Sequence, residues 1–248
     1  MAEVLVAILG NIGSGKSEFV KSLRERGVGS RLLPVLTSKG EIKVYDESPK
    51  VKELAANVFY PAFLRGDLRT CFAVEVEMLY ARRDQMLDAA KHDGIAVLER
   101  TIWENRFVFF ENQYRQGFIR SPFYDEYCEA FERVRQTVPT PDVFVYLRTS
   151  PSVAFDRMRA RARESEKGVP LDYLQSTHSL YDELVDGVLP RYVAMYGDKL
   201  VRINADNHLD AGEFQKFHSQ VEERIEQALR RQGWGPRTPS VVEASFRS

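Results

Sequence analysis

Cysteines and long apolar runs are both scarce in this sequence. No stretch of the 248 residues approaches the ~20 consecutive apolar residues that a membrane-spanning helix requires. The two cysteines, Cys71 and Cys128, form neither a Cys-x-x-Cys pair nor a Cys/His spacing. Their placement argues against a disulfide scaffold and a structural zinc site, and it fits a reducing compartment. The composition therefore predicts neither a membrane protein nor a disulfide-stabilised domain.

An excess of charge of either sign is also lacking. The sequence has 35 Lys and Arg and 36 Asp and Glu, a net charge of -1, so no general field attracts nucleic acid or anionic lipid. We therefore expect no nucleic-acid and no membrane partner, and any anion site must be local. The apolar run EVLVAIL near the start lacks a basic segment before it and a small-residue cleavage site after it. The run is interpreted as a strand of a cytoplasmic protein.

Short runs rich in Val, Ile and Leu alternate with longer segments of helical period. This alternation is typical of a parallel sheet covered by helices on both faces, the α/β class. Strands are predicted over residues 4–9, 42–45, 95–98, 143–147 and 199–203, and helices over residues 15–26, 67–92, 104–116, 122–136, 151–163, 171–195 and 210–232. Residues 1–232 are expected to form one domain, and residues 233–248 a flexible tail.

A match to the phosphate-loop pattern G-x-x-x-x-G-K-[ST] follows the first predicted strand. The match lies between a buried strand and an amphipathic helix, which is the context the pattern needs. Lys16 is expected to contact the β and γ phosphates, and Ser17 to hold Mg²⁺. A nucleoside triphosphate, with ATP favoured, is the implied cofactor. The candidate cofactor-binding residues of the loop are Gly10, Asn11, Ile12, Gly13, Ser14, Gly15, Lys16 and Ser17.

A carboxylate follows the third predicted strand, where IAVLE continues into Arg100 and Thr101. The chain lacks the Asn-Lys-x-Asp motif of GTPases, and this strand lacks the Asp-Glu ending of motor-type ATPases. Glu99 lies at the carboxyl end of a parallel strand, where it could hold Mg²⁺ or its waters. Arg100 beside it could bind a phosphate or hydroxyl oxygen.

Four features in this order resemble the deoxynucleoside kinase family over about residues 4–205. They are the loop GNIGSGKS, the Asp46-Glu47-Ser48-Pro49 element, the Glu99-Arg100-Thr101 motif and the segment RMRARARESEKGVPLDYL. The last two are the most specific, because ordinary phosphate-loop proteins have no reason to share them. The resemblance implies the P-loop kinase fold with an arginine-rich lid, and ATP- and Mg-dependent phosphorylation of a (deoxy)nucleoside at its 5′-hydroxyl in nucleotide salvage. It also implies a homodimer.

A catalytic base is expected after the second strand. Transfer to an alcohol is helped by a carboxylate within hydrogen-bond reach of the hydroxyl. Glu47 is the candidate, because it follows a strand on the same sheet edge as Lys16 and the resemblance supports it. Asp46 is the alternative, since adjacent carboxylates on an extended chain point in opposite directions. Capping of the following helix by this acidic pair is the structural alternative.

Four arginines alternate with small or apolar residues: Arg157, Arg159, Arg161 and Arg163. On a helix, Arg157/Arg161 and Arg159/Arg163 form i,i+4 pairs on two different faces, and one face can meet phosphates. Arg157 and Arg161 are the candidates for binding the nucleotide, where charge on the transferred group must be neutralised. The resemblance makes Arg161 and Arg163 the lid arginines, and makes Glu166 the acid that binds the sugar 3′-hydroxyl. A solvated basic helix is the alternative.

The resemblance assigns the reading of the base to the long helix over residues 67–92. Glu75 lies where the family has Gln, and Arg82, two turns later on the same face, matches a family Arg. Tyr60 resembles the sugar-binding Tyr, and Asn105 lies where the family usually has Asp or a small residue. With two departures at base-reading positions, the base specificity cannot be inherited from a relative.

The side chain at position 75 bears on which base is preferred. An ionised Glu only accepts hydrogen bonds, whereas a Gln both donates and accepts. Glu75 therefore favours a base edge with two donors, as in guanine. An internal ion pair of Glu75 with Arg82 or Arg106 is the alternative, and it would leave the base to other residues.

Two other functions compete with a deoxynucleoside kinase. A nucleoside monophosphate kinase of the thymidylate-kinase type needs a basic pocket for the acceptor phosphate, and Glu47 has the wrong charge for it. A catalytically silent, kinase-like structural subunit has no need for Lys16, Glu99 and the lid arginines. A phosphotransferase with an alcohol group as acceptor is therefore the favoured interpretation.

Overall fold

The computed structural model describes residues 2, 4–26, 42–46, 49–207 and 211–231. Within these residues, five strands form one sheet, at Val4–Leu9 (β1), Ile42–Tyr45 (β2), Ile95–Leu98 (β3), Val143–Arg148 (β4) and Leu200–Asn204 (β5). All pairings are parallel, in the order β2-β3-β1-β4-β5. The predicted α/β class is confirmed; β4 is one residue longer than predicted, and β5 lies one residue later. The tail expected over residues 233–248 lies outside the described residues.

Helices cover both faces of the sheet. Their bounds in the described part of the chain are Lys16–Arg26 (α1), Pro49–Glu53 (α2), Tyr60–Arg65 (α3), Leu68–Ala89 (α4), Ile102–Glu104 (α5), Glu111–Arg115 (α6), Phe123–Arg135 (α7), Pro151–Arg161 (α8), Leu171–Glu183 (α9), Leu189–Tyr192 (α10), Tyr196–Lys199 (α11) and Ala211–Arg231 (α12). None of the helices found there is both long and apolar enough to cross a bilayer.

Several predicted helices differ in detail from those observed. π-Helical segments at Leu54–Phe59, Asn105–Phe110 and Leu184–Val188 join consecutive helices, so the helices predicted over 104–116 and 171–195 each contain a π-helical segment. The second of these ends at α10 instead of residue 195. A π turn rotates the side chains that follow it, and such turns are frequent at functional sites.

The helix predicted over residues 151–163 is also shorter than expected. It ends at Arg161, because Ala162 adopts a left-handed conformation with φ of 52°. No glycine marks this position, so the sequence carried no stop signal there. Arg163 therefore lies beyond α8, and it does not continue the helical arginine pattern.

Alternation along the strands separates two hydrophobic cores. In β1, Leu5 and Leu9 point to the layer that contains α4, α7 and α9, whereas Val4 and Ile8 point to the layer that contains α1 and α12. Strands buried on both faces explain the continuous Val, Ile and Leu runs of the sequence.

Because all five strands are parallel, their carboxyl ends lie at one edge of the sheet. Gly10 follows β1, Asp46 follows β2 and Glu99 follows β3. Ligands of open α/β sheets bind beyond the carboxyl ends of the strands. The fold therefore brings three features to one side of the molecule: the predicted phosphate loop, Asp46 next to the predicted catalytic base, and the predicted metal-binding carboxylate.

Candidate active site

The loop between β1 and α1 is packed tightly against two later helices. Gly13 has φ of 76°, and a Cβ there would lie 2.1 Å from the carbonyl oxygen of Ala154 in α8, so only glycine fits. Asn11 Nδ2 donates to the carbonyl oxygen of Leu174 at 3.0 Å, and Thr177 Oγ1 donates to Asn11 Oδ1 at 3.1 Å. The loop is thus fixed to α8 and α9 as well as to the sheet.

Two polar side chains of this loop, Lys16 and Ser14, are buried. Lys16 Nζ donates to the carbonyl oxygens of Gly10 and Asn11, at 2.6 and 2.8 Å, and the residue is largely buried. Ser14 Oγ is buried and has no hydrogen-bond partner among the described residues. A buried hydroxyl of this kind calls for an additional partner, and a phosphate oxygen would satisfy it. Residues 10–17 are therefore arranged as a phosphate-binding loop requires.

The predicted metal-binding pair is in direct contact. Ser17 Oγ at the start of α1 donates to Glu99 Oε1 at 2.7 Å, although the residues are 82 positions apart. The Glu99 backbone N–H donates to the carbonyl oxygen of Tyr45 at 3.1 Å, which continues the ladder between β2 and β3. A hydroxyl and a carboxylate side by side are oxygen ligands of the kind that Mg²⁺ prefers.

Arg100 is held by two residues that the sequence did not single out. Its Nη1 donates to Tyr181 Oη at 3.1 Å, and Tyr181 Oη donates to Glu104 Oε1 at 2.8 Å. Glu104 and Tyr181 are fully buried, and the Arg100 guanidinium lies 4.8 Å from the centre of the Phe109 ring. Burial raises the pKa of Glu104, while the charges of Arg100 and Lys16 oppose that rise. No local motif indicates a contact between residues 77 positions apart.

The end of β2, which precedes the predicted catalytic base, is tied to α4. Gln85 Nε2 donates to the carbonyl oxygen of Asp46, and Arg82 Nη1 donates to Gln85 Oε1 at 3.1 Å. Arg82 is buried on the inner face of α4, so the helix expected to read the base is anchored beside the end of β2. Glu47 lies outside the described residues, and its role as the base stays a prediction.

The predicted lid residues meet one another. Arg161 Nη2 donates to both carboxylate oxygens of Glu166, at 2.8 and 2.7 Å, and Arg163 Nη1 lies 3.7 Å from Glu166 Oε1. Arg157, by contrast, donates to the carbonyl oxygens of residues 205–207 in the loop after β5. Arg157 and Arg161 were expected to act from one helix face, but they contact different segments here.

Glu75 forms neither of the ion pairs considered from the sequence. It is 2% exposed, and its Oε1 accepts a hydrogen bond from Nε2 of Gln113 in α6. Arg106 instead pairs with Glu111 at 2.8 Å and donates to Tyr124 Oη at 2.6 Å. Burial raises the pKa of Glu75 to about 7, so the ionised form on which the guanine preference depends is less favoured here than in an exposed glutamate.

The remaining predicted acceptor residues are Asn105, Tyr60 and Glu166. Asn105 is buried at the start of a π-helical segment, and the side chain of Tyr60 lies outside the described part of the structure. An apolar cleft of about 330 Å³ separates residues 56–63 from residues 164–173, with Phe63 and Tyr173 among its walls. Tyr60 and Glu166 belong to the two segments that flank this cleft.

Comparison with known proteins assigns the chain to a family. The family model described as deoxynucleoside kinase matches residues 6–228. The chain belongs to the deoxynucleoside kinase family. Lys16, Ser17, Glu99 and Arg100 all lie within the matched range, which includes the whole sheet except the first two residues of β1.

Individual relatives are similar to parts of the chain. "Thymidine kinase 2, mitochondrial" of Homo sapiens is 36% identical over 119 residues, which cover 47% of this chain and 43% of that protein. "Deoxyadenosine kinase" of Dictyostelium discoideum is 25% identical over 205 residues, 83% of this chain and 74% of that protein. The match therefore spans less than half the length of the human protein.

A solved structure shares the fold. Deoxyadenosine kinase from M. mycoides with bound dCTP superposes with a TM-score of 0.66 at 19% identity, over 90% of this chain and 99% of that chain. This likeness supports the P-loop kinase architecture of the sheet and its flanking helices.

Proposed function

We propose that this protein transfers the terminal phosphoryl group of a nucleoside triphosphate, with ATP favoured, to the 5′-hydroxyl of a (deoxy)nucleoside. The observation that carries the proposal is the contact of Ser17 with Glu99 beside Lys16, at one sheet edge of a chain from the deoxynucleoside kinase family. The names of the relatives, a thymidine kinase and a deoxyadenosine kinase, support a nucleoside as the acceptor.

Magnesium fits the donor set at this edge. Ser17 and Glu99 would hold the ion, because their adjacent oxygens are hard ligands and the phosphates would supply others. The bound ion would neutralise phosphate charge. Lys16, at the end of the same loop, would bind the β and γ phosphates and supply a positive charge in addition to that of the ion.

Proton removal from the acceptor is assigned to the loop after β2. Glu47 would accept the proton of the 5′-hydroxyl, and Asp46 is the competing carboxylate. The hydrogen bond from Gln85 to the Asp46 carbonyl supports this placement, because it ties the start of the loop to α4. Arg100 would bind an oxygen of the acceptor or of the transferred group, with Tyr181 and Glu104 holding its orientation.

The arginine-rich lid would close over the phosphates. Arg161 and Arg163 would stabilise the charge that spreads over the transferred group, and Arg157 would bind the nucleotide from beside the loop after β5. Glu166 would bind the sugar 3′-hydroxyl. Its ion pair with Arg161 supports a coupled action, since the acid for the sugar and the cation for the phosphate already touch.

The acceptor pocket would be formed by α4 and the π-helical segment after Arg100. Glu75, Arg82 and Asn105 would face the base, and Tyr60 the sugar. We extend the proposal to a cytoplasmic homodimer that acts in nucleotide salvage, as the family resemblance implies. No nucleic acid and no membrane takes part in this reaction.

The test is a product assay with separate acceptor pools. The protein is incubated with γ-labelled ATP and Mg²⁺, together with either nucleosides or nucleoside monophosphates, and the labelled product is identified. We expect labelled monophosphates from the nucleoside pool only. Labelled diphosphates from the monophosphate pool would indicate a monophosphate kinase, and no label from either pool would indicate a silent structural subunit.

A pair of lysine variants on α1 controls this assay. Lys16→Ala is expected to abolish transfer without loss of the fold, because a cation is removed from the phosphate loop. Lys21→Ala, at an exposed position of the same helix, is expected to retain activity. Activity of Lys16→Ala within a few-fold of wild type would contradict the assignment of the donor site.

A further inference from the structure

The carboxyl group of Glu75 is incompletely satisfied. Oε1 accepts from Gln113 Nε2, whereas Glu75 Oε2 and Gln113 Oε1 have no hydrogen-bond partner among the described residues. Both residues are 2% exposed. Unpartnered buried polar atoms are uncommon and costly, so each one requires an explanation. With an ionised Glu75, both orphaned atoms are acceptors and neither can satisfy the other.

Within the part of the chain that the structure describes, no positive charge compensates a carboxylate at this position. The titratable groups that face Glu75 are Cys71 on α4 and Tyr127 on α7, and both are neutral in their usual states. Arg106, which interacts with Tyr127, pairs with Glu111. Among the described residues, Glu75 has no ion pair. The surroundings therefore favour the neutral acid, in agreement with the burial that raises the pKa of Glu75 to about 7.

The position of Glu75 relative to the reaction edge is suited to contact with an acceptor. It lies two turns before Arg82 on the inner face of α4, about 10 Å along the axis at 1.5 Å per residue. Arg82 is linked through Gln85 to the end of β2. Gln113 lies on α6, which continues the segment that begins at Arg100. Glu75 thus lies between two elements that lead away from the same sheet edge.

We propose that Glu75, held by Gln113, is a base-selecting residue whose preference reverses with its own protonation. As a neutral acid it donates from Oε2 to a base with an acceptor nitrogen on its pairing edge, as in adenine or cytosine. As a carboxylate it accepts from a base that has a ring N–H there, as in guanine. The inference rests on the proposed function, because it assumes that Glu75 faces the base of the bound nucleoside.

The two protonation states of Glu75 should discriminate strongly between guanine and adenine. A neutral hydroxyl opposite the guanine N1–H places two donors against each other, and a carboxylate opposite adenine N1 places two acceptors against each other. In a site closed to water, each mismatch leaves buried polar groups unpaired. Sites built on such hydrogen bonds reject the wrong partner by large factors.

The experiment measures relative specificity against pH. We would determine kcat/KM for deoxyguanosine and deoxyadenosine with the full chain from about pH 5.5 to about pH 8.5, a range that brackets the pKa of Glu75. The ratio of the two values cancels pH effects that act equally on both substrates, including those of the catalytic base. We expect the deoxyguanosine preference to rise by about tenfold or more across this range, with a midpoint near pH 7.

Two variants separate this mechanism from a structural role. Glu75→Gln should make the ratio independent of pH, because its amide does not titrate. Gln113→Leu should move the midpoint to higher pH, because the hydrogen bond from Gln113 lowers the pKa of Glu75. The protonated acid can also be detected without activity: an infrared difference spectrum between acidic and alkaline pH should contain a carboxylic-acid carbonyl band that Glu75→Gln lacks.

Several results would overturn the inference. A constant ratio in the wild type, or an equal pH dependence in Glu75→Gln, would show that Glu75 does not select the base, while the phosphorylation of nucleosides would leave the proposed function intact. Absence of the infrared band would exclude the neutral acid. Failure to phosphorylate any nucleoside would overturn the proposed function and this inference together.

Discussion

Replacement of Glu75 by Gln should change how the stability of the fold depends on pH. The folded state retains the Glu75 proton up to about pH 7, whereas the unfolded chain releases it near the ordinary pKa of 4.5. The free energy of unfolding of the wild type therefore falls as pH rises through this window, and it levels off above the folded-state pKa. The isosteric amide cannot ionise, so the free energy of unfolding of the variant does not fall for this reason.

The magnitude follows from the displacement of the pKa. At about 1.4 kcal/mol per pH unit, a pKa raised from 4.5 to about 7 corresponds to about 3 kcal/mol. The free energy of unfolding of Glu75→Gln minus that of the wild type should rise by about this amount between about pH 4.5 and about pH 8. For a domain of this size, such a change amounts to on the order of 10 °C in relative Tm.

Denaturant unfolding of both proteins at several pH values measures this difference. Because all other titrating groups are shared, their contributions cancel in the subtraction. Glu77→Gln is the matched control, since Glu77 lies on the exposed face of the same helix and its variant should track the wild type. A Glu75→Gln difference that stays constant within about 0.5 kcal/mol over this range would refute the argument from burial.

Three further predictions concern turnover. Glu47→Gln should lower kcat by about 10²-fold or more with a smaller effect on nucleoside binding, because the amide cannot take the proton; the same pattern in Asp46→Asn instead would identify Asp46 as the base. Arg161→Ala should lower kcat far more than the affinity for nucleoside, since its charge is needed chiefly in the transition state, and equal losses in binding of both substrates with kcat unchanged would contradict this. Tyr181→Phe should lower kcat by about tenfold, because it removes the hydroxyl between Arg100 and its buried acid; unchanged steady-state kinetics would show that the orientation of Arg100 does not depend on Tyr181.

The position of the loop over residues 10–17 in the fold was predictable because its determinants are local. A buried run of Val, Ile and Leu, a glycine-rich turn and the Lys16-Ser17 pair are adjacent in the chain, and the strand bounds of β1, β2 and β3 agree with the predictions residue for residue. The contact between Ser17 and Glu99 could also be expected, since parallel strands end at a common edge.

The acceptor side was less predictable because its determinants are distant in the chain. The contacts of Glu75 with Gln113 and of Glu104 with Tyr181 join residues 38 and 77 positions apart, and no motif encodes them. The π-helical segment Asn105–Phe110 has no recognised local signal, yet it sets the direction of α6 and hence of Gln113. The charge state of Glu75 depends on burial, which a sequence pattern does not supply.

The contacts between the phosphate loop and its two neighbouring helices also constrain motion. Ala154 lies near the start of α8 and Leu174 near the start of α9. The segment between them, which contains the arginines and the 3₁₀ turn Glu164–Glu166, therefore contacts the same loop at both of its ends. A shift of the loop would therefore be transmitted to both helices that bound this segment. For this reason we expect the binding of a phosphate donor at the loop and the position of Arg161 to be coupled.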